Sequence, residues 1–81
     1  MELEWTKKED GSYTASGVEE DSEQEVQFVI RKDRKIPSRP WTLRATDEVF
    51  TEGLVGRQTT LKEAKNLAVL YCTRGLNIQP E

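Results

Sequence analysis

The chain has 81 residues, 35% hydrophobic and 33% charged, with 12 basic and 15 acidic side chains and a formal net charge of −3. Histidine is absent and Cys72 is the one cysteine, which removes the commonest catalytic base, most zinc sites and any intramolecular disulfide. No apolar run approaches the roughly 18 residues of a membrane span, and no signal-peptide core follows Met1, so the expectation is one small soluble domain in the cytoplasm with no membrane partner.

In chain order, Leu3 and Trp5 alternate with Glu2, Glu4 and Thr6, the period of a half-buried strand. Asp10-Gly11 supplies a tight turn, and Tyr13 and Ala15 continue the inward face of a returning strand, with Ser12, Thr14 and Ser16 outside. Residues 17–24 are polar and acidic without periodicity and read as a mobile loop. The segment from Glu25 to Lys32 is the clearest strand, with Val26, Phe28 and Ile30 on one face and Gln27, Val29 and Arg31 on the other. The loop from Asp33 to Pro40 contains Pro37 and Pro40, which forbid regular ladder pairing. A further strand opens at Trp41, with Trp41, Leu43 and Ala45 inward and Thr42, Arg44 and Thr46 outward. Residues 47–56 leave a fifth strand and a turn equally open, and Leu54-Val55, bracketed by Gly53 and Gly56, fits either a bulged edge strand or a loop plugging the core.

The helix carries the strongest local signals. Thr60 and Glu63 fit a capping box; Leu61, Ala64, Leu67, Ala68 and Tyr71 recur at helical spacing; and Gly75 stands where a left-handed C-terminal residue belongs, with Leu76 placed for the accompanying apolar contact. The spacing predicts a helix over 61–74 and a tail over 76–81. Together these elements predict an α+β domain spanning 1–81: an antiparallel sheet of four strands, or five if residues 47–56 add one, with the C-terminal helix on one face. The other face is expected wet, carrying Glu4, Thr6, Thr14, Gln27, Val29, Arg31, Thr42 and Arg44. The large apolar side chains, Phe50 and Leu70 among them, suffice for one core and leave none over for a deep substrate pocket.

Charge is segregated along the chain. Residues 1–25 hold nine acids and two lysines, a balance of −7, whereas residues 26–46 hold six bases and one acid, a balance of +5. Acidic and basic segments meeting as neighbouring strands would neutralise each other. The candidate contact residues are Arg31, Lys32, Arg34, Lys35, Ile36, Arg39 and Arg44, because prolines stiffen the loop that displays most of them, and arginine binds carboxylates and phosphates through a planar fork. Val69, on the polar face of the helix, is a second candidate contact. No catalytic arrangement is legible: Cys72 lies near a helix C-terminus, where partial negative charge opposes the thiolate, and reads as a small buried hydrophobe. The acids at 19–25 lack the spacing of a calcium loop, and Gly53 and Gly56 lack the completion of a phosphate loop, so no metal and no cofactor is expected.

Two resemblances accompany these residues. Trp5-Thr6, Gly11-Ser12-Tyr13, Trp41-Thr42-Leu43 and Thr60-Leu61-Lys62-Glu63-Ala64-Lys65 follow the order W-T, G-x-Y, W-x-L, T-L-x-E-A-K, which resembles small uncharacterised accessory proteins of actinobacterial phages. That resemblance implies a noncatalytic viral accessory protein that binds another protein, a host factor in the host cytoplasm. The order of sheet then helix, with T-L-K-E-A opening the helix, is similar to the arm-binding DNA modules of tyrosine recombinases. It implies a DNA-reading sheet with Arg31, Arg44, Lys32, Arg34, Lys35 and Arg39 on phosphates and bases, and the acidic N-terminal segment departs from that pattern. A protein partner is therefore the leading expectation and nucleic acid the second; monomer and homodimer both stay open.

Overall fold

The computed structural model describes residues 3–75 and 78. Alternating apolar residues separated by polar turns produce β1 (Thr6–Lys7), β2 (Tyr13–Val18), β3 (Glu25–Lys32), β4 (Trp41–Thr46) and β5 (Gly53–Gln58), followed by α1 (Leu61–Arg74). Every strand pairs antiparallel with its neighbour in sequence, giving a five-stranded meander in the order β1-β2-β3-β4-β5. The helix packs on one face, over β5, β4 and β3. This is the α+β architecture that the sequence predicts, with the fifth strand present.

The core is the layer between sheet and helix. Val26, Phe28 and Ile30 of β3 and Leu43 and Ala45 of β4 meet Ala64, Ala68, Tyr71 and Cys72 of α1, all buried. Each large aliphatic or aromatic side chain so buried contributes about 1.5–3 kcal/mol relative to exposure. Small Ala64 and Ala68 let the helix approach the sheet, and Phe28 meets Tyr71 edge-on with ring centroids 5.6 Å apart. Leu3 and Trp5 pack against this core, although only Thr6 and Lys7 pair with β2, so the first strand is shorter than the alternation suggests.

The helix ends follow their capping chemistry. Thr60 Oγ1 accepts the Glu63 backbone N–H at 3.2 Å, and Glu63 Oε1 accepts the same hydroxyl's proton at 3.0 Å. The carboxylate thus closes the box on the hydroxyl. Gly75, at φ 66°, donates its N–H to the Tyr71 carbonyl at 3.2 Å, a left-handed stop that favours glycine. The contact assigned to Leu76 lies outside the described residues, as does the 76–81 tail apart from Ile78, which packs against the core.

Four expectations are corrected. Phe50 and Leu70 do not join the core: Phe50 sits in the β4–β5 turn, 45% exposed, and Leu70 faces away from the sheet. Val55 takes the core position instead, because a register shift between Leu43 and Arg44 bulges β5. Ser12 is buried, its hydroxyl and N–H both donated to Asp10 Oδ1 at 2.6 and 2.9 Å across the β1–β2 turn. Thr42, expected outward and wet, is buried as well. Strand β2 runs through Val18, so the acidic connection covers 19–24, closed by Glu19 N–H to the Gln24 carbonyl at 2.9 Å and tied to the helix by Glu20 N–H to the Cys72 carbonyl at 2.9 Å.

Candidate binding surface

An antiparallel meander sends alternate connections to opposite ends of the sheet. The β1–β2 turn, the β3–β4 loop and the start of α1 share one end; the β2–β3 loop, the β4–β5 turn and the end of α1 share the other. Lys7, Lys8, Lys32, Arg34, Lys35 and Arg39 therefore collect at the first end, whereas Glu19, Glu20, Asp21, Glu23, Glu25, Asp47, Glu48 and Glu52 collect at the second. Strand β2 carries no charged side chain at all. The separation by end is partial: Glu9, Asp10 and Asp33 share the basic end, where the Ser12 hydrogen bonds, helped by the charge of Arg31, lower the Asp10 carboxyl, and Arg31 pairs with Glu52, so acidic and basic segments still offset each other in part.

The face of the sheet turned away from the helix carries the arginines inward from the basic end. Register places Arg31, Thr42 and Arg57 in one cross-strand row, and Thr14, Val29, Arg44 and Leu54 in the next. Arg31 Nη1 meets Glu52 Oε1 at 2.6 Å, a pair about half exposed and so worth no more than about 1 kcal/mol. Arg44 Nη1 donates to the Glu52 carbonyl oxygen at 2.9 Å, and the Glu52 N–H is held by Thr46 Oγ1 at 2.9 Å. Glu52 itself lies at φ 48°, a left-handed backbone that a side chain rarely adopts. One turn residue therefore bends back over the open face and contacts two arginines.

Thr42 is the floor of this face. It is 4% exposed, and its Oγ1 has no hydrogen-bond partner among the described residues; the same is true of the buried Arg57 Nε. A hollow of about 240 Å³ opens at Thr42, bordered by Val29, Arg31, Lys32, Asp33, Arg34 and Arg44. A second hollow, of about 410 Å³, lies between the β1–β2 turn and the β3–β4 loop and is bordered by Lys7, Asp10, Arg31, Lys32, Arg34 and Trp41. Asp10 there has its carboxyl held below the usual range by the Ser12 hydroxyl, then by the Ser12 N–H.

The predicted contact residues divide accordingly. Arg31, Lys32, Arg34 and Arg44 come together around the open-face hollow, and Arg31, Lys32 and Arg34 also border the end groove. Lys32 is drawn over the Trp41 ring, 5.6 Å from its centroid. Lys35, Ile36 and Arg39 are exposed at the loop and border neither hollow; there the Lys35 N–H bonds Asp33 Oδ1 at 2.9 Å and the Arg39 N–H bonds the Ile36 carbonyl at 3.0 Å. Val69, the second candidate, is half-buried. Sequence reasoning missed Arg57. Its signal was parity: once β5 is bulged, Arg57 falls opposite Thr42 on the open face.

The titratable groups in the layer beneath serve packing. Burial, reinforced by Glu19 and Glu20, pushes the Cys72 thiol up, away from the reactive thiolate. Burial, followed by the charge of Asp47, pushes the Tyr71 phenol up to about 12, and its hydroxyl donates to Asp47 Oδ2 at 3.3 Å. Asp47 is held below the usual carboxylate range, first by the Phe50 N–H and also by the Val49 N–H. Among the described residues no helix is long and apolar enough to cross a membrane. The chain matches no protein-family model, no curated protein and no solved structure.

Proposed function

We propose that this protein is a noncatalytic binding module that docks an acidic segment of another protein through its open sheet face and its β3–β4 loop. The observation that carries the reading is the convergence of Arg31, Arg34, Arg44 and Lys32 around one hollow, at the end of the sheet away from the acidic loop. Such an arrangement steers an acidic partner in one orientation, because the far end repels it. The loop loses little entropy on binding, since two prolines and the turn hydrogen bonds already restrict it. The motif likeness to actinobacterial phage accessory proteins supports a phage-type role with a host protein as the target.

A second reading rests on the same arginines. An exposed antiparallel sheet with Arg31, Arg44 and Arg57 on one face suits insertion into a DNA groove, as in the arm-binding modules. Glu52 over that face and Asp10 in the adjoining groove oppose it. Fluorescence anisotropy with a labelled glutamate-rich peptide and a labelled DNA duplex separates the two. The peptide is expected to bind, and Arg34→Glu with Arg39→Glu to abolish binding. Retained peptide binding by the double reversal overturns the loop assignment, and duplex binding that falls steeply with salt, in place of peptide binding, selects the second reading.

A further inference from the structure

The open-face hollow combines three features that an ordinary solvated sheet surface lacks. Its floor is a buried hydroxyl, Thr42 Oγ1, with no partner among the described residues. It is lined by four cations, Arg31, Lys32, Arg34 and Arg44, against the one carboxylate of Asp33, with Arg57 opposite Thr42 in the ladder. It is also already approached by a carboxylate of the same chain, because Glu52 Oε1 meets Arg31 at 2.6 Å. A hydroxyl kept out of water without a partner is a cost that a bound oxygen atom removes. Planar guanidinium groups donate to that oxygen best when it belongs to a carboxylate or another oxyanion.

We propose that this hollow is a carboxylate-binding site, in which a glutamate or aspartate side chain of the acidic partner is seated by Thr42, Arg31 and Arg44, and that Glu52 is the chain's internal competitor for the Arg31 position. The partner's carboxylate accepts from the Thr42 hydroxyl and takes over the Arg31 guanidinium; Glu52, on its left-handed turn, is released to solvent. The assignment of the ligand as a carboxylate follows from Glu52, whose own carboxylate already pairs with Arg31, one of the residues lining the hollow, in the free protein. The proposal rests on the acidic-partner reading above and names the subsite that reading requires.

Three variants test it with one probe, a fluorescein-labelled, N-acetylated hexaglutamate peptide titrated by anisotropy. Thr42→Val is expected to weaken binding roughly ten-fold, the loss of one hydrogen bond to a charged acceptor, while leaving the protein folded. Glu52→Gln is expected to tighten binding about two- to five-fold, the release of one exposed ion pair. Glu48→Gln removes the same charge from the same end of the sheet, but Glu48 contacts Gln24 and not an arginine of the hollow, so it is expected to leave the affinity nearly unchanged. Opposite responses of Thr42→Val and Glu52→Gln, with Glu48→Gln near wild type, support the site. Wild-type affinity in both Thr42→Val and Glu52→Gln overturns it, while the acidic-partner reading stands if the loop reversal still abolishes binding. Equal tightening by Glu52→Gln and Glu48→Gln overturns the competitor role, because it reports only net charge. Absence of peptide binding by the wild type overturns both proposals. Inorganic phosphate that displaces the peptide more effectively than glutarate does overturns the choice of carboxylate.

Discussion

Replacing Thr42 by valine should stabilise the free protein. The residue lies on β4, paired on one side with Arg31 and on the other with Arg57, and is 4% exposed. Leaving a hydroxyl unpaired in such a place costs about 1–3 kcal/mol by the response of proteins to mutation. Valine keeps the branched shape at Cβ and the strand preference, creates no cavity, and puts an apolar methyl where the hydroxyl stood. The expected gain is therefore about 1–3 kcal/mol. In a domain of this size each kcal/mol moves the thermal midpoint by roughly 4–8 °C, so the shift should be plain in a melting curve. Urea unfolding followed by the fluorescence of half-buried Trp5 and Trp41 measures it, and the denaturant slope should not change. A loss of about 1 kcal/mol or more would refute the reasoning, since the hydroxyl would then have a native hydrogen-bond partner, such as a water held in the hollow. Stability gained where binding is lost is the usual exchange at a site kept ready for a ligand.

Three further outcomes follow from the same geometry. Thr60→Ala should destabilise the protein by about 1 kcal/mol, the worth of a lost N-cap, with Thr60→Ser restoring most of it in the same urea assay. Tyr71 keeps its phenol proton to about pH 12 in the folded state, against 10.0 in the reference side chain. The native state therefore holds more protons than the unfolded chain between those values; the contribution is complete below pH 10 and is lost as pH rises through 12, a fall of roughly 2–3 kcal/mol that Tyr71→Phe should remove from the stability-versus-pH curve. Cys72, 1% exposed with its thiol pushed up, should resist a thiol-specific disulfide reagent in the native state and react at the rate at which the protein opens. Prompt labelling under native conditions would contradict its burial.

Where local signals were sufficient, the sequence was legible to the residue. Strand β3 and helix α1 have the bounds that alternation and capping predict, because each is specified within its own segment: Val26, Phe28 and Ile30 by period two, Thr60 and Gly75 by the chemistry of helix ends. The short β1 is different. Leu3 and Trp5 alternate as a strand does, yet they leave the ladder to pack on the core. Strand β5 was legible only as one of two alternatives, a bulged edge strand or a loop, and its facing could not be read because a bulge changes parity: simple alternation from Leu54 would put Arg57 inside, whereas the shift at Leu43/Arg44 places it opposite Thr42. Burial of Thr42 likewise belongs to no local pattern, since it arises among long side chains from β3, β4 and β5. The candidate surface was thus half legible. Its cations were visible as a basic segment, but the hollow, its threonine floor and the Glu52 carboxylate over it exist only once three strands are in register.

The central claim is that an acidic segment docks on the open face and basic loop. Mapping backbone amide shifts of the isotopically labelled protein during titration with the hexaglutamate peptide tests it most directly. The account predicts saturable shifts at Arg31, Arg34, Arg39, Thr42 and Arg44, with the outer helix residues Lys62, Asn66 and Leu70 unmoved. Shifts concentrated on that helix face, or none at all, would contradict it.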